Sequence, residues 1–389
     1  MWFTPVVSGG ARTMLMLTQC ADAIGEPSPT SIPTVKIVGD GIPTPGAIAA
    51  LKAAGYPTAS TPGFDMSFYA INNRKPPLDD YYFRKALAQS INKEEIYPTL
   101  WGPMATPIYS WVPPAQAFWE NPTATAAFRG MTMFNLQNAI NTLIAGGYIP
   151  CDDAGNVVIN PLPGNINHWE KPKGTPLRNI EQAVPLESTL SMEVSKWIES
   201  DLHSIGLVNI KHTPLPFGYI VYQQWLSPPY LNWDLAIGVE LTFGAEPILY
   251  EMFHVNSIPV WNIWGLDDPF VNYYCDTYRQ TLSAWVAREN VWACQERLVE
   301  IIPMIPMASS MKWTSIRSPS RPGQPGVLGW VNAKGFGGYN MWSALYSRGE
   351  APDSSPYTIN NWLIGGDADT LNPLTSDSAY EWQLLSLVY

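Results

Sequence analysis

Charge is scarce in this chain, and positive charge is scarcest. Lys and Arg number 22 against 33 Asp and Glu, charged residues make up 14% of 389, and the formal net charge is −11. Phosphate binding needs clustered Lys and Arg; no such cluster is found, which argues against nucleic acid as a partner. The four cysteines, Cys20, Cys151, Cys275 and Cys294, stand far apart with no C-x-x-C spacing, which argues against a zinc or redox motif. One disulfide is possible, and spacing alone does not choose the pair. The four histidines, His168, His203, His212 and His254, show no metal-ligand spacing. His203 falls at a helix end, where a cation suits the dipole. There is no G-x-S-x-G, no H-E-x-x-H and no P-loop. The carboxylate pair Asp267–Asp268 stands before a proline and reads as a helix cap. The sequence therefore calls for no catalytic group, no metal and no cofactor: the expectation is not an enzyme. No apolar run reaches the length of a membrane helix. No convincing export signal is read either, since Arg12 precedes only "TMLMLT" and Gln19 suits a lipoprotein cleavage site poorly.

What is abundant is proline, with 37 residues, and tryptophan, with 17, in a chain that is 46% hydrophobic. The length allows two or three domains. The prolines imply stiffened loops. A single Trp usually packs a core, but rows of exposed Trp also stack on sugars and other flat or amphipathic ligands.

Along the chain, residues 1–37 have linker composition, followed by a short strand at 34–38. A helix over 44–56 follows, with Pro45 in its first turn and Gly55 at its end. Alternation predicts a strand over 64–72. An apolar stripe at Phe83, Leu87 and Ile91 predicts one helix within 76–97, capped by Asp79 or Asp80 and ended by Pro98. Residues 104–119 read as a Pro-rich aromatic loop and 150–185 as a long polar excursion. A helix over 186–206 leads to strands at 207–215 and 232–241, an α/β order. A helical stretch over 266–302 precedes a strand over 304–316.

In α/β folds ligands sit beyond the carboxyl ends of strands. The candidates there are Tyr109 and Trp111 in the aromatic loop, Glu240 and Phe243 after the 232–241 strand, and Trp261 before the 266–302 helix. The set is broad, aromatic and poor in catalytic groups, which describes a binding protein.

At these residues "FYAINNRKPPLDDYYFRKALAQSINKEEIYPTLWGPMATPIYSWVPP" (68–114) resembles the signature of the family 5 extracellular solute-binding proteins, the oligopeptide, dipeptide, nickel and oligosaccharide receptors of ABC importers. Asn72, Pro77, Asp80, Arg84, Ala86, Ala88, Gly102, Ala105, Pro107, Ser110 and Pro113 match its pattern. "VSKWIESDLHSIGLVNIK", "WDLAIG" and "ERLVEIIPMIPM" are similar to later family segments, so the resemblance runs over roughly 40–346.

The resemblance implies an α/β, type II periplasmic-binding-protein-like fold with two lobes around a ligand. It also implies an extracytoplasmic location and a membrane permease as partner. The expected division is 1–72 as the end of lobe I, 73–302 as the second lobe, 303–346 as the return to lobe I, 347–358 as a linker, and 359–389 as the start of another lobe I-like segment. Most of lobe I would then be missing. Peptide receptors of the family carry an acidic residue after a "gW" step; here that stretch reads "GVELTFGAEP", with Val239 at the Trp position. The ligand expected is an oligopeptide or an oligosaccharide. The alternative is a non-transport surface or structural module on the same scaffold.

The last segment, "LIGGDADTLNPLTSDSAYEWQLLSLVY", resembles the family's N-terminal segment. A strand at 362–364 and a helix from about Ser378 are expected there, either docked on 303–346 or poorly ordered.

Overall fold

A computed structural model describes residues 45–242 and 244–316, short strands at 3–5, 23–25, 326–328, 348–350, 356–357 and 362–364, and single positions between 329 and 346. The strand expected at 34–38 and the helix expected from Ser378 lie outside the described residues.

The chain divides into two compact units. The larger comprises 65–97 and 107–308, and the smaller comprises 1–64, 98–106 and 309–389.

In chain order the main elements begin with strand β1 (Asp65–Ile71), helix α1 (Tyr81–Gln89) and helix α2 (Lys93–Leu100). Helices α3 (Pro122–Thr132) and α4 (Leu136–Ala145) come next, then the short strands β2 (Ile149–Cys151) and β3 (His168–Glu170). Strand β4 (Ile180–Pro185), helix α5 (Thr189–Ser204) and strand β5 (Ile210–Leu215) form a βαβ unit. Strand β6 (Leu235–Thr242), helices α6 (Leu249–Phe253), α7 (Pro269–Gln280) and α8 (Ala284–Ile301), and strand β7 (Ile305–Ile316) complete the series.

The sheet order is β7–β1–β6–β4–β5. The β7/β1 and β1/β6 pairs are antiparallel, whereas β6/β4 and β4/β5 are parallel. Parallel neighbours need a crossover, and α5 supplies it. The central strands are buried on both faces: Met66, Phe68, Tyr69, Ala70 and Ile71 of β1 are all at most 1% exposed. Strand β6 shifts register between Ala236 and Val239. Gly238 sits there at φ 80°, and a Cβ on it would stand 2.4 Å from Ser191 Cβ, so only glycine fits between the strand and α5.

Local chemistry sets the helix ends. Asp80 caps α1 by accepting from the Tyr82 amide, Ser188 caps α5 from Ser191, and Asp268 caps α7 from Phe270 and Val271. The single helix expected within 76–97 is two, because α1 closes at Ser90, whose amide bonds back to Ala86 and Leu87. Pro98 does not terminate α2, which runs on to Leu100. The helical stretch 266–302 likewise parts at Thr281–Ser283, where Ser283 caps α8. The excursion at 150–185 contains β3 and β4, too short and too punctuated by proline to show alternation. Cys275 and Cys294 face each other across α7 and α8 with Sγ atoms 3.9 Å apart, both fully buried.

In the smaller unit a helix (Pro45–Ala53) seats Ile48 against Met104 and Trp313. A strand (Thr58–Pro62) pairs antiparallel with the outer half of β7. Strand 23–25 pairs antiparallel with 314–316, strand 362–364 lies parallel to 23–25, and strand 3–5 lies parallel to 362–364. The expected strand at 362–364 is thus present as a sheet member. The stretch expected as a linker, 347–358, instead carries strands 348–350 and 356–357, in one antiparallel sheet with 326–328. Among the described residues no helix is long and apolar enough to cross a membrane.

Candidate functional site

The aromatic loop is pinned from below by a buried amine. Lys93, 1% exposed on α2, donates to the carbonyls of Ile108 (2.8 Å) and Pro306 (2.7 Å), and its Nζ lies 3.8 Å from the Tyr109 ring centre. Burial drags the Lys93 ammonium down to about 7. Tyr109 donates its hydroxyl to Glu94 (3.2 Å), which also holds Arg129 (2.9 Å). Burial first, and the Glu94 charge second, raise the Tyr109 phenol to about 12. Trp111 is 1% exposed, with Nε1 donating to the Met304 carbonyl and its ring 4.8 Å from Phe128. Both residues are thus anchors of the loop; Trp111 in particular presents no free face for a ligand to stack on.

What the loop presents lies further along. Gln116, 3% exposed, donates to the carbonyls of Gly244 and Glu246, both at 2.7 Å. Trp119 Nε1 donates to Ala245 at 3.2 Å. The loop is therefore tied to the segment leaving the carboxyl end of β6, where sequence placed Glu240 and Phe243. Glu240 pairs with Ser67 in the β6/β1 ladder, and Phe243 lies outside the described residues. Beside Trp119 stands Phe118, 40% exposed, which meets the half-exposed Trp285 at 5.6 Å. The Arg288 guanidinium lies over Phe118, Trp285 and Trp292 at 5.2, 4.4 and 4.6 Å.

Phe118, Trp285 and Arg288 were not singled out by sequence. The i, i+3, i+7 spacing of Trp285, Arg288 and Trp292 was the available signal. It passes for an ordinary helix face until Phe118 is seen to join it.

Trp261 is 49% exposed on a separate loop, its amide bonded to the Ser257 carbonyl at 3.1 Å. That loop is rigid. Asn262, fully buried, donates to His254 and Leu266 carbonyls and accepts from the Leu266 amide. Trp264 beside it is fully buried against Phe68 and Phe253. Trp261 is thus a solvent-facing ring on a fixed mount.

Two other features carry no chemistry of their own. Ser195 Oγ lies 2.8 Å from His212 Nδ1, but Ser195 is fully buried and accepts from Gln182 at 2.7 Å, so it cannot meet a substrate. A surface cleft of about 630 Å³ is lined by Pro76, Pro77, Asp80, Tyr148, Lys171 and Arg178 among others. Its charges pair internally: Lys171 bonds Asp80 at 2.6 Å, and Arg178 bonds Asp234 at 2.9 Å. Burial pushes the Asp80 carboxyl up, but Lys171, the Tyr82 amide and the Tyr148 hydroxyl more than offset it and leave it below its usual range.

The chain matches the profile of the bacterial extracellular solute-binding proteins, family 5 (middle), over residues 5–237. Solved structures with the same fold include the oligopeptide-binding protein AppA of Bacillus subtilis in complex with a nonapeptide. It shares 11% identity and a TM-score of 0.60, with 87% of this chain and 58% of that one covered. Lactococcal OppA with an endogenous peptide shares 17% identity, TM-score 0.62, with coverage of 87% and 57%. NikZ of Campylobacter jejuni in complex with Ni(L-His) shares 14%, TM-score 0.55, with coverage of 80% and 55%. At these identities the likeness shows the fold, α/β and of the solute-binding type; the chain spans between half and three-fifths of the length of these structures. No curated protein matches it.

Proposed function

The chain belongs to the bacterial extracellular solute-binding proteins of family 5, a family of binding proteins rather than enzymes, and from that premise we propose that it is the receptor part of an ABC-type importer. It takes an oligopeptide or an oligosaccharide outside the cytoplasm and hands it to a membrane permease. The observation that carries the reading is the tie between the aromatic loop and the segment after β6, made by Gln116 to Gly244 and Glu246. It holds the loop that carries the exposed Phe118, which meets Trp285 and Arg288 of α8, and a strand end is where α/β folds present ligands. Trp261 supplies a second exposed ring on a braced loop. Tyr109 and Trp111 hold the loop in place, and Glu240 lies on the strand itself.

The Bacillus and lactococcal structures hold peptides, which makes peptides the first class to test. The aromatic rings suit sugars equally well. Titration calorimetry of the purified full chain against mixed oligopeptides of two to nine residues, and against a panel of oligosaccharides, separates the classes. Saturable binding to one class is expected. A folded protein that binds neither would overturn the receptor reading in favour of a non-transport module.

A further inference from the structure

Sequence spacing shows no metal-ligand pattern around His168, because Glu170 two residues on makes no site alone and Cys151 stands far from both along the chain. The β2/β3 hairpin removes that separation. Its register sets Cys151 opposite His168 and Ile149 opposite Glu170. Side chains alternate along strands, so Cys151, His168 and Glu170 share one face while Trp169 takes the other. Trp169 is 1% exposed and donates to the Ile205 carbonyl at 2.7 Å, which fixes the hairpin's inner side.

A thiol sulfur, an imidazole nitrogen and a carboxylate oxygen thereby lie within 4.8 Å of one another. Cys151 and Glu170 are buried, and His168 is partly exposed. His168 Nε2 stands 3.4 Å from Glu170 Oε1. Nitrogen and oxygen ligands on a tetrahedral zinc, with bonds of about 2.0–2.1 Å, sit about 3.3 Å apart, so this pair already has the needed separation.

The seat also accepts a cation. Lys173 Nζ lies 3.0 Å from Glu170 Oε2 and 3.5 Å from Cys151 Sγ. It donates further to the Gly155 carbonyl at 2.5 Å. The Lys173 side chain is 46% exposed, and its four-carbon stem lets the ammonium swing out to water.

We propose that Cys151, His168 and Glu170 form a site for one divalent transition-metal ion of the zinc, nickel and cobalt type, with Lys173 as the counter-charge the metal displaces. Thiolate and imidazole ligands favour these ions over magnesium or calcium. Three protein donors leave a fourth position to water. On binding, the Cys151 S–H proton goes to solvent and the sulfur forms the metal bond. The site uses no residue of the proposed ligand-binding surface, so it stands or falls separately from the receptor reading.

Cobalt(II) added to the reduced, metal-free full chain tests it. One equivalent is expected to bind with a thiolate-to-cobalt charge-transfer band in the near ultraviolet. Cys151→Ser abolishes the band. His168→Asn weakens binding more than about tenfold, since even an outer partner of a metal ligand is worth 10–100-fold. Lys173→Ala tightens it. The double variant Cys275→Ser, Cys294→Ser keeps the band, which excludes the buried thiol pair as its source. If Cys151→Ser fails to fold by circular dichroism, His168→Asn decides. The absence of a thiolate band, or a band unmoved by both variants, overturns the site and leaves an ion-pair network of Glu170, His168 and Lys173.

Discussion

Arg84 is the residue on which the joint between α1 and α8 turns, and its replacement has a calculable consequence. It is 8% exposed. Its Nε donates to the Ile302 carbonyl at 2.8 Å, one terminal nitrogen to Ile301 at 2.7 Å, and the other to Leu78 at 2.9 Å. Ile301 ends α8, and Ile302 follows it in the left-handed region at φ 45°. The guanidinium thus closes the orphan carbonyls of a helix C-terminus, where a cation also suits the dipole. Three hydrogen bonds from a charged donor contribute about 1.5–3 kcal/mol each. Against them stands desolvation: burial lowers the Arg84 pKa from 12.5 to about 10, which corresponds to about 3 kcal/mol of charging cost. Arg84→Met, which keeps the length and drops the fork, is therefore expected to destabilise the larger unit by about 2–5 kcal/mol. Arg84→Lys should fall between, because one ammonium cannot reach three carbonyls in that geometry. Urea unfolding followed by tryptophan fluorescence gives the magnitude. Hydrogen exchange at α8 gives the location, with protection lost first in its last turn. A change below about 0.5 kcal/mol, within the usual range of a surface substitution, would refute this account of the joint, as would Arg84→Lys behaving as the parent.

Three other outcomes follow from the same reasoning. Lys93 has a folded pKa of about 7 against 10.5 when unfolded, so between those values the unfolded chain holds the extra proton. Stability should rise with pH across that window by up to about 1.4 kcal/mol per unit and be unaffected by this group below it; the difference in pH slope between the parent and Lys93→Met checks this, and equal slopes would contradict it. Asp268 caps α7 and chelates Arg297 with contacts of 2.7–3.2 Å, so Asp268→Ala should cost about 2–3 kcal/mol in denaturant unfolding, and a loss within error would mean the cap is replaceable. Trp261→Ala should leave the unfolding midpoint unchanged, the ring being half-exposed, while weakening ligand binding by about tenfold, or ~1.4 kcal/mol; unchanged affinity by calorimetry would remove Trp261 from the binding surface.

Wherever local rules decide, the sequence was legible. A cap at Asp79 or Asp80, a cap at the Asp267–Asp268 pair, the step from α5 to β5, and β7 after Pro303 all follow from residue type and period alone. The same holds for the family, because the 68–114 pattern is a string of local requirements. Asp80 must cap, and Ala86 and Ala88 must leave room in a fully buried face.

Tertiary structure decided what depends on residues distant in sequence. Trp111 looked like a ligand platform because it stands in an aromatic loop, yet Phe128 and Met304 bury it. Phe118 and Trp285 looked unremarkable because each needs the other. Cys151 and His168 become neighbours only through a hairpin register that no spacing rule encodes. Pattern along a chain records which face of an element is apolar. Which exposed or polar groups then converge depends on how those elements pack, and that is a property of the folded whole.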